Sequence, residues 1–202
     1  DFGFSPDPIN SGDTVTFQAT VENTGQTDVS ETVYVTFYLD GTAVETKSFD
    51  FLNVYDPQVI AVDWTATPGS HGVEIKADDE SGANHIPERN EDNNNVYSDL
   101  EYIAGPDLIV DEIYWDPYYN IGDYAPIYVY IKNNGDAGLV DGFFTTTASI
   151  DGSSIGENSG TYYISQGDRV WMEFYWTVSA GSHQVFVETD VNSEVYELYE
   201  DN

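Results

Sequence analysis

The two halves of this chain repeat one another, and this repeat constrains the possible folds more than any other feature of the sequence. When the sequence is shifted on itself by about 110 residues, short segments of identical residues meet in the same order. The matched segments are Gly12-Asp13 with Gly122-Asp123, Asp40-Gly41 with Asp151-Gly152, Trp64-Thr65 with Trp176-Thr177, Gly69-Ser70-His71 with Gly181-Ser182-His183, and Glu91-Asp92-Asn93 with Glu200-Asp201-Asn202. The chain is therefore expected to contain two homologous domains, at 1–104 and 105–202.

Each repeat has the apolar spacing of β-strands rather than that of helices. Val15, Phe17 and Ala19 alternate with polar residues, and a period of two places apolar side chains on one face of a strand. A second alternating segment ends at Asp40-Gly41, a dipeptide typical of tight hairpin turns. About seven short strands in each repeat predict an all-β fold, composed of two tandem immunoglobulin-like β-sandwich domains.

The repeated tryptophans are expected to lie in the cores of these sandwiches. Trp64 has the parity of Val62 and Trp176 that of Phe174, so both indoles should face inward. A sugar-binding platform is the functional alternative, but a buried ring fills a core more commonly. The predicted core residues are Val15, Phe17, Val35, Phe37, Trp64 and Val73 in the first domain, and Ile127, Val129, Met172, Trp176, Val185 and Val187 in the second.

The charge of the chain excludes two classes of partner. The chain has 37 acidic residues against 5 Lys and Arg, a net charge of −32, which repels nucleic acids and anionic lipids. The sequence has no apolar run long enough to span a membrane. Its 16 Tyr, 10 Phe and 4 Trp supply apolar area that disordered acidic chains lack. A folded, acidic, cysteine-free protein in an extracellular location, on the cell surface, is expected.

Several segments of both repeats match one known family. They are Pro106-Asp107-Leu108-Ile109-Val110, Ile131-Lys132-Asn133-Asn134-Gly135, Trp176-Thr177 and Gly181-Ser182-His183 in the second repeat, and Val21-Glu22-Asn23-Thr24-Gly25, Leu39-Asp40-Gly41 and the run from Glu88 to Asn94 in the first. These segments resemble the CARDB family, the cell-adhesion-related domain of bacterial and archaeal surface proteins. The resemblance implies immunoglobulin-like repeats without catalytic activity.

No residue pattern in the sequence indicates an enzyme. Two of the three His residues, His71 and His183, occupy the same repeat position. A feature present in both copies is better explained by the shared fold than by an active site. The sequence contains no nucleophile elbow, no pair of His at metal-ligand spacing and no phosphate-binding glycine loop. We therefore expect no catalytic residues.

The acidic segments that follow the last repeated strand of each domain are the candidate metal sites. Calcium takes six to eight oxygen ligands, and these segments carry carboxylates and amides densely. The candidate ligands are Asp78, Asp79, Glu80, Glu88, Asn90, Glu91 and Asp92 in the first domain, and Asp190, Asn192, Glu194, Glu197, Glu200 and Asp201 in the second. The alternative is that these side chains are solvated or cap turns through the backbone. Calcium, or another hard cation, is the cofactor hypothesis.

Aromatic residues distinguish the second repeat from the first. On one strand the outward positions hold Thr16, Gln18 and Thr20 in the first repeat. The matching positions of the second repeat hold Pro126, Tyr128 and Tyr130. Because tyrosine is enriched at protein interfaces, the second domain should be the more adhesive copy. The candidate interaction residues are Tyr124, Tyr128, Tyr130, Trp171 and Tyr175. A protein contact, a glycan contact and an unoccupied surface all remain open.

Comparing the ends of the repeats gives an expectation about assembly. The first repeat lacks a counterpart of Pro106 to Val110, so its N-terminal strand should be truncated. The second lacks a counterpart of 94–103, the expected closing strand of the first domain, so the strand at 183–189 should be left as an edge. The chain is then either a piece of a longer array or a subunit that receives a strand from another chain.

These observations favour a non-catalytic structural or adhesive segment of an extracellular surface protein, filament or sheath. Its partners would be other protein chains or further repeats. The alternative is a carbohydrate-binding or spacer module of a secreted hydrolase, which would present a row of exposed aromatic rings to a glycan.

Overall fold

The computed structural model of the protein describes residues 1–80 and 86–200. The chain divides into two compact units, Asp1–Ile103 and Ala104–Asn202, and the division falls just before the Gly105-Pro106 dipeptide. The regular secondary structure of the described residues consists of β-strands. None of these residues belongs to a helix that could cross a membrane.

The strands follow the alternating segments of the sequence. In the first unit they are β1 (Phe2–Ser5), β2 (Thr14–Val21), β3 (Val33–Leu39), β4 (Thr42–Phe49), β5 (Gln58–Thr65), β6 (Gly72–Ala77) and β7 (Asn95–Asp99). In the second unit they are β8 (Leu108–Tyr114), β9 (Tyr124–Asn133), β10 (Leu139–Ile150), β11 (Ser153–Ile164), β12 (Arg169–Thr177) and β13 (Val185–Glu188).

Two antiparallel sheets enclose one apolar core in each unit. The sheet orders are β1-β2-β5 and β4-β3-β6-β7 in the first unit, and β12-β9-β8 and β11-β10-β13 in the second. Alternate residues of β2 and β3 supply the first core, and alternate residues of β9 and β12 contribute to the second. The predicted fold class, two tandem β-sandwich domains, is confirmed.

The predicted cores are also confirmed, although the two tryptophans lie at their margins. Val15, Val35 and Val129 are fully buried. Trp64 and Trp176 are half-buried and pack against their cores, with the Trp64 ring stacked on a buried phenylalanine at 5.9 Å. Val185 and Val187 of β13 are likewise half-buried against the second core.

The repeated histidine serves the same structural purpose in both domains. The β3–β4 turn places Asp40 at φ 49° and Gly41 at φ 79°, and Asp40 Oδ2 lies 2.7 Å from His71 Nδ1. The His71 ring packs edge-on against Trp64 at 5.0 Å. In the second domain the distance between Asp151 Oδ2 and His183 Nδ1 is 2.6 Å. The histidine thus ties a hairpin turn to the neighbouring strand end, which explains why it recurs.

The two domains differ at the edge formed by their last repeated strand. In the first domain β7 pairs antiparallel with β6, and Val73 faces Ser98. This is the pairing that the sequence predicts for the segment after Asn94. In the second domain β13 pairs with β10, and within residues 86–200 no strand covers its other side.

Candidate functional site

Asp78 and Asp190 follow strands β6 and β13, and each accepts a hydrogen bond from a residue further along the chain. Both adopt a left-handed backbone, with φ of 52° and 45°, which aspartate tolerates better than most residues. Asp78 Oδ2 accepts a hydrogen bond from the Ile86 N–H at 2.8 Å. Asp190 Oδ2 accepts one from the Val195 N–H at 3.0 Å. Because Ile86 and Val195 pack in the cores, these two carboxylates bond to residues that are anchored in the sandwiches.

Most other candidate metal ligands also bond to the protein itself. The Asp79 carboxylate accepts a hydrogen bond from the Tyr38 hydroxyl at 2.6 Å, which raises the pKa of Tyr38 to about 12. The remaining bonds are local. Glu91 accepts a hydrogen bond from the Glu88 N–H, and Glu200 accepts one from the Glu197 N–H. Asn90 accepts one from the Asp92 N–H, and Glu194 accepts one from the Asn192 side-chain amide. Glu80 is exposed.

Glu197 is the exception, because its carboxylate is buried and only partly satisfied. The residue is 7% exposed. Its Oε2 accepts the Leu108 N–H at 2.8 Å, whereas Oε1 is buried without a hydrogen-bond partner among the described atoms. Burial is the main reason that its pKa rises from 4.5 to about 8. Repulsion from Asp190, Glu200 and Asp107 adds to the rise, and the Leu108 hydrogen bond opposes it. Glu88, the equivalent residue of the first domain, is exposed.

The candidate ligands do not form a ready-made metal centre. In the part of the chain that the structure describes, no group of three or more His, Asp or Glu side chains could hold a metal ion. Asp201 lies outside the described residues, as does the 81–85 stretch of the first acidic loop. The calcium hypothesis therefore stays a prediction, and the structure assigns turn-capping hydrogen bonds to several of the proposed ligands.

The candidate interaction residues lie on one surface of the second domain. The strand order β12-β9-β8 places β9 in the centre. In this sheet Trp171 pairs with Tyr130, Glu173 with Tyr128, and Tyr128 in turn with Tyr114. Paired residues share a face of the sheet. We call this outward surface the aromatic face; its rings are Tyr114, Tyr124, Tyr128, Tyr130, Trp171 and Tyr175.

The rings of the aromatic face contact one another. Tyr124 and Tyr175 stack with centroids 5.1 Å apart and planes 16° apart. Tyr128 meets Trp171 edge to face at 6.0 Å and lies 6.1 Å from Tyr114. Trp171 is 57% exposed and Tyr124 69%. These rings therefore form contacting groups on one partly exposed surface of the second domain.

Tyr130 differs from the other predicted interaction residues because one side of its ring is already covered. The guanidinium carbon of Arg169 lies 4.3 Å from the centroid of the Tyr130 ring. Nη1 of Arg169 donates to Asp111 at 2.9 Å and to Glu112 at 3.0 Å. A cation of the same domain therefore occupies this end of the aromatic face, and the interaction role of Tyr130 stays a prediction.

A carboxylate in the middle of the aromatic face was absent from the sequence-based candidates. Glu173 is half-buried between Trp171 and Tyr175 along β12, and its Oε2 accepts the Tyr175 hydroxyl at 2.8 Å. The period of two that places Trp171 and Tyr175 outward also places Glu173 outward, so this signal is present in the sequence. Glu173 gives the aromatic face a negative charge at its centre.

The first domain has the same sheet without the rings. Its strands β1, β2 and β5 pair in the same way, with Val59 facing Thr20 and Ala61 facing Gln18. The outward residues of β2 and β5 are Thr14, Thr16, Gln18, Thr20, Val59, Ala61, Asp63 and Thr65. Because the fold forms in both domains, it does not require the aromatic face.

The chain is similar to one protein family and to a set of solved structures. A CARDB family model matches residues 2–98 and 105–202. No curated protein matches the chain. Among solved structures, a solution structure of a CARDB domain from Pyrococcus furiosus is 24% identical, covers 48% of this chain and 87% of its own, with a TM-score of 0.42.

Two further structures are similar to the chain. A crystal structure of the same Pyrococcus furiosus domain, in complex with di-metal ions, is 24% identical and covers 48% of this chain and 86% of its own, with a TM-score of 0.40. Red sea bream transglutaminase is 11% identical and covers 94% of this chain and 28% of its own, with a TM-score of 0.35.

Proposed function

Because the chain belongs to the CARDB family, whose domains are adhesion-related and non-catalytic, we propose that it is an adhesive structural segment of an extracellular surface protein. The chain itself then has no enzymatic activity, and its partners are protein chains. The high negative charge supports an extracellular location, since acidic surfaces stay hydrated and dispersed.

The main support for this proposal is that the outward side chains of the equivalent sheet differ between the two domains. The second domain presents six aromatic rings where the first presents mostly small polar and aliphatic residues. Exposed Trp and Tyr are costly for solubility unless they bind something, and both residue types are enriched in interface hot spots. The aromatic face is the adhesive surface, and the first domain serves as a spacer.

A carbohydrate-binding or spacer module of a secreted hydrolase is the alternative function. The exposed rings of Trp171 and Tyr175 favour it. The orientations of the rings disfavour it, because Tyr128 and Trp171 are inclined at 62° and form no common plane for a flat polysaccharide chain. We therefore place the protein contact first.

Adhesion under flow tests the proposed function. Beads carrying the whole chain are passed over surfaces coated with proteins of different charge or with insoluble polysaccharides. The face variant, Tyr124→Thr, Tyr128→Gln and Trp171→Val, gives three positions of the aromatic face the side chains of the first domain at unchanged charge. The control, Phe51→Val, Tyr55→Gln and Tyr97→Thr, removes exposed rings of the first domain instead.

The outcomes separate the two functions. The adhesive proposal predicts retention on at least one protein surface, lost in the face variant and kept in the control. Retention confined to polysaccharide supports the hydrolase module. Equal retention of the face variant and the wild type on every surface would show that the aromatic face is not the adhesive surface.

A second contact is proposed at the edge strand β13. Within the described residues no other strand pairs with its outer side, and the residues of β13 include the exposed Phe186. In the first domain β7 occupies the equivalent position. A further repeat or another chain supplies a strand there by β-augmentation. Hydrogen exchange of the β13 amides, measured with and without a synthetic peptide of the β7 sequence, tests this contact.

A hard cation at the second acidic loop is also proposed. The buried Glu197 carboxylate, with Oε1 unpartnered among the described atoms, supports it, because a cation would neutralise the repulsion from Asp190, Glu200 and Asp107. Carboxylate and main-chain oxygens are ligands that calcium accepts.

A further inference from the structure

Two basic side chains, Lys76 and Arg169, each lie over a tyrosine ring beside a carboxylate. In the first domain Tyr38 of β3 pairs directly with Glu74 of β6. The ammonium of Lys76 lies 4.7 Å from the centroid of the Tyr38 ring and 3.3 Å from the Glu74 carboxylate. The cation is thus attracted by both the ring face and the carboxylate.

The second domain repeats this arrangement at one end of the aromatic face. Tyr130 of β9 pairs directly with Glu112 of β8. Arg169 covers the Tyr130 ring at 4.3 Å and bonds to Glu112 at 3.0 Å. In both places a tyrosine opposite a glutamate on the neighbouring strand holds a basic side chain that reaches over the ring.

A further tyrosine–glutamate pair lies two residues along the same sheet. Tyr128 of β9 pairs directly with Glu173 of β12. The residues flanking Glu173 on the same face are Trp171 and Tyr175, where the first domain has Lys76 two residues after Glu74. Within the described part of the chain, no Lys or Arg forms an ion pair with Glu173. Its carboxylate accepts one hydrogen bond, from Tyr175, which leaves acceptor capacity for a second donor.

We propose that Glu173, Tyr128, Trp171 and Tyr175 form a receptor site for a lysine or arginine side chain carried by a partner protein. The inference deepens the proposed function and rests on it, since it names the partner of the aromatic face as a basic protein segment. The cation lies over the Tyr128 ring beside the Glu173 carboxylate, as Arg169 lies over Tyr130 beside Glu112.

Charge complementarity selects this occupant over the others. The chain has 37 acidic and 5 basic residues, so two copies repel one another and a second copy is a poor source of the cation. A neutral glycan would leave the Glu173 carboxylate without a counter-charge. A basic segment gains both the ring contacts and the Coulomb attraction, and long-range attraction to the acidic chain speeds its approach.

Binding of a short peptide measured by NMR tests the site on the whole chain. The probe is a capped peptide of alternating glycine and arginine, titrated at 0.15 M salt, where exposed charges more than about 8 Å apart are largely screened. The readout is the shift of the Trp171 indole N–H. Glu173→Ala removes the carboxylate, and Glu173→Gln replaces it with a neutral side chain of similar shape. Glu157→Ala removes an equal charge from the exposed side of β11, away from the aromatic face.

The expected result is a saturable shift at Trp171. The affinity of the peptide should fall about fivefold in Glu173→Ala and in Glu173→Gln, which is the size expected for losing one exposed cation contact. Glu157→Ala should retain the wild-type affinity. Equal weakening in Glu157→Ala and Glu173→Ala would overturn the proposal, because the peptide would then follow net charge alone.

A Trp171 shift produced by a neutral oligosaccharide but not by the peptide would also overturn it and would favour the glycan. The proposed function is tested separately. Face-dependent retention of beads on a neutral protein surface, with no peptide binding, would keep the adhesive function and reject only the basic partner.

Discussion

Replacing Glu197 by Gln is expected to stabilise the second domain at neutral pH. The substitution removes a buried charge but keeps an oxygen that can accept the Leu108 N–H, which Oε2 accepts at 2.8 Å. The new amide group can donate to the nearby carboxylates of Asp190, Glu200 or Asp107, which repel Glu197 in the wild type. The variant should therefore fold without the electrostatic cost of the native carboxylate.

The size of the effect follows from the pKa of Glu197, which rises from 4.5 to about 8 on folding. Since the folded state holds the proton more tightly, the stability of the wild type falls as the pH increases from 4.5 to 8. Each pKa unit corresponds to about 1.4 kcal/mol. At pH 7 the free energy of unfolding of the wild type is therefore up to about 3 kcal/mol lower than below pH 4.5. Gln has no such dependence.

Urea unfolding in the presence of EDTA measures the difference. The unfolding of the second domain is followed through the NMR intensity of core amides such as that of Val129, which is fully buried, at pH 4.5, 6 and 7.5. The stability difference between Glu197→Gln and the wild type should be small at pH 4.5 and should grow with pH. A variant that is less stable at pH 7.5, or a difference that is constant with pH, would show that the buried Glu197 carboxylate does not destabilise the domain.

Three further predictions concern stability. Millimolar calcium should raise the Tm of the wild type relative to EDTA, and this rise should shrink in Glu197→Gln; equal Tm values in calcium and EDTA would exclude the cation. The hydrogen bond to Asp151 raises the pKa of His183. His183→Ala should therefore lower the free energy of unfolding, measured by urea titration, by its full amount below about pH 6.5. This loss should decline as the pH rises through the raised pKa of His183. Phe144→Ala should lower the free energy of unfolding by about 3–5 kcal/mol in chemical unfolding, because Phe144 is fully buried. Phe143→Ala should lower it far less, because the Phe143 side chain is 48% exposed. Similar losses in the two variants would contradict the assigned register of β10.

The sandwich architecture could be predicted from the sequence because alternation is a local property. The parity of Trp64 and Val62 fixes which face of β5 is inward, and the repeat then transfers the same assignment to Trp176 in β12. The aromatic face followed for the same reason, since residues of one parity on paired strands share a surface.

The functions of the acidic loops could not be predicted in this way. Asp78 and Asp190 cap their loops through backbone N–H groups several residues ahead, and the sequence does not distinguish such a cap from a metal ligand. The burial of Glu197 depends on contact with Leu108, 89 residues earlier in the chain. The position of Arg169 over Tyr130 depends on the reach of a flexible side chain across strands. These are tertiary contacts, which a local pattern does not determine.

Moving the aromatic face to the first domain tests whether this face makes the second domain adhesive. Starting from the face variant, the equivalent positions of the first domain are changed by Thr14→Tyr, Gln18→Tyr, Val59→Trp and Ala61→Glu. Retention of beads under flow is then compared for the wild type, the face variant and the transplanted chain. The transplanted chain should regain retention on the surface that held the wild type. A correctly folded transplanted chain that adheres no better than the face variant would show that the aromatic face does not cause adhesion.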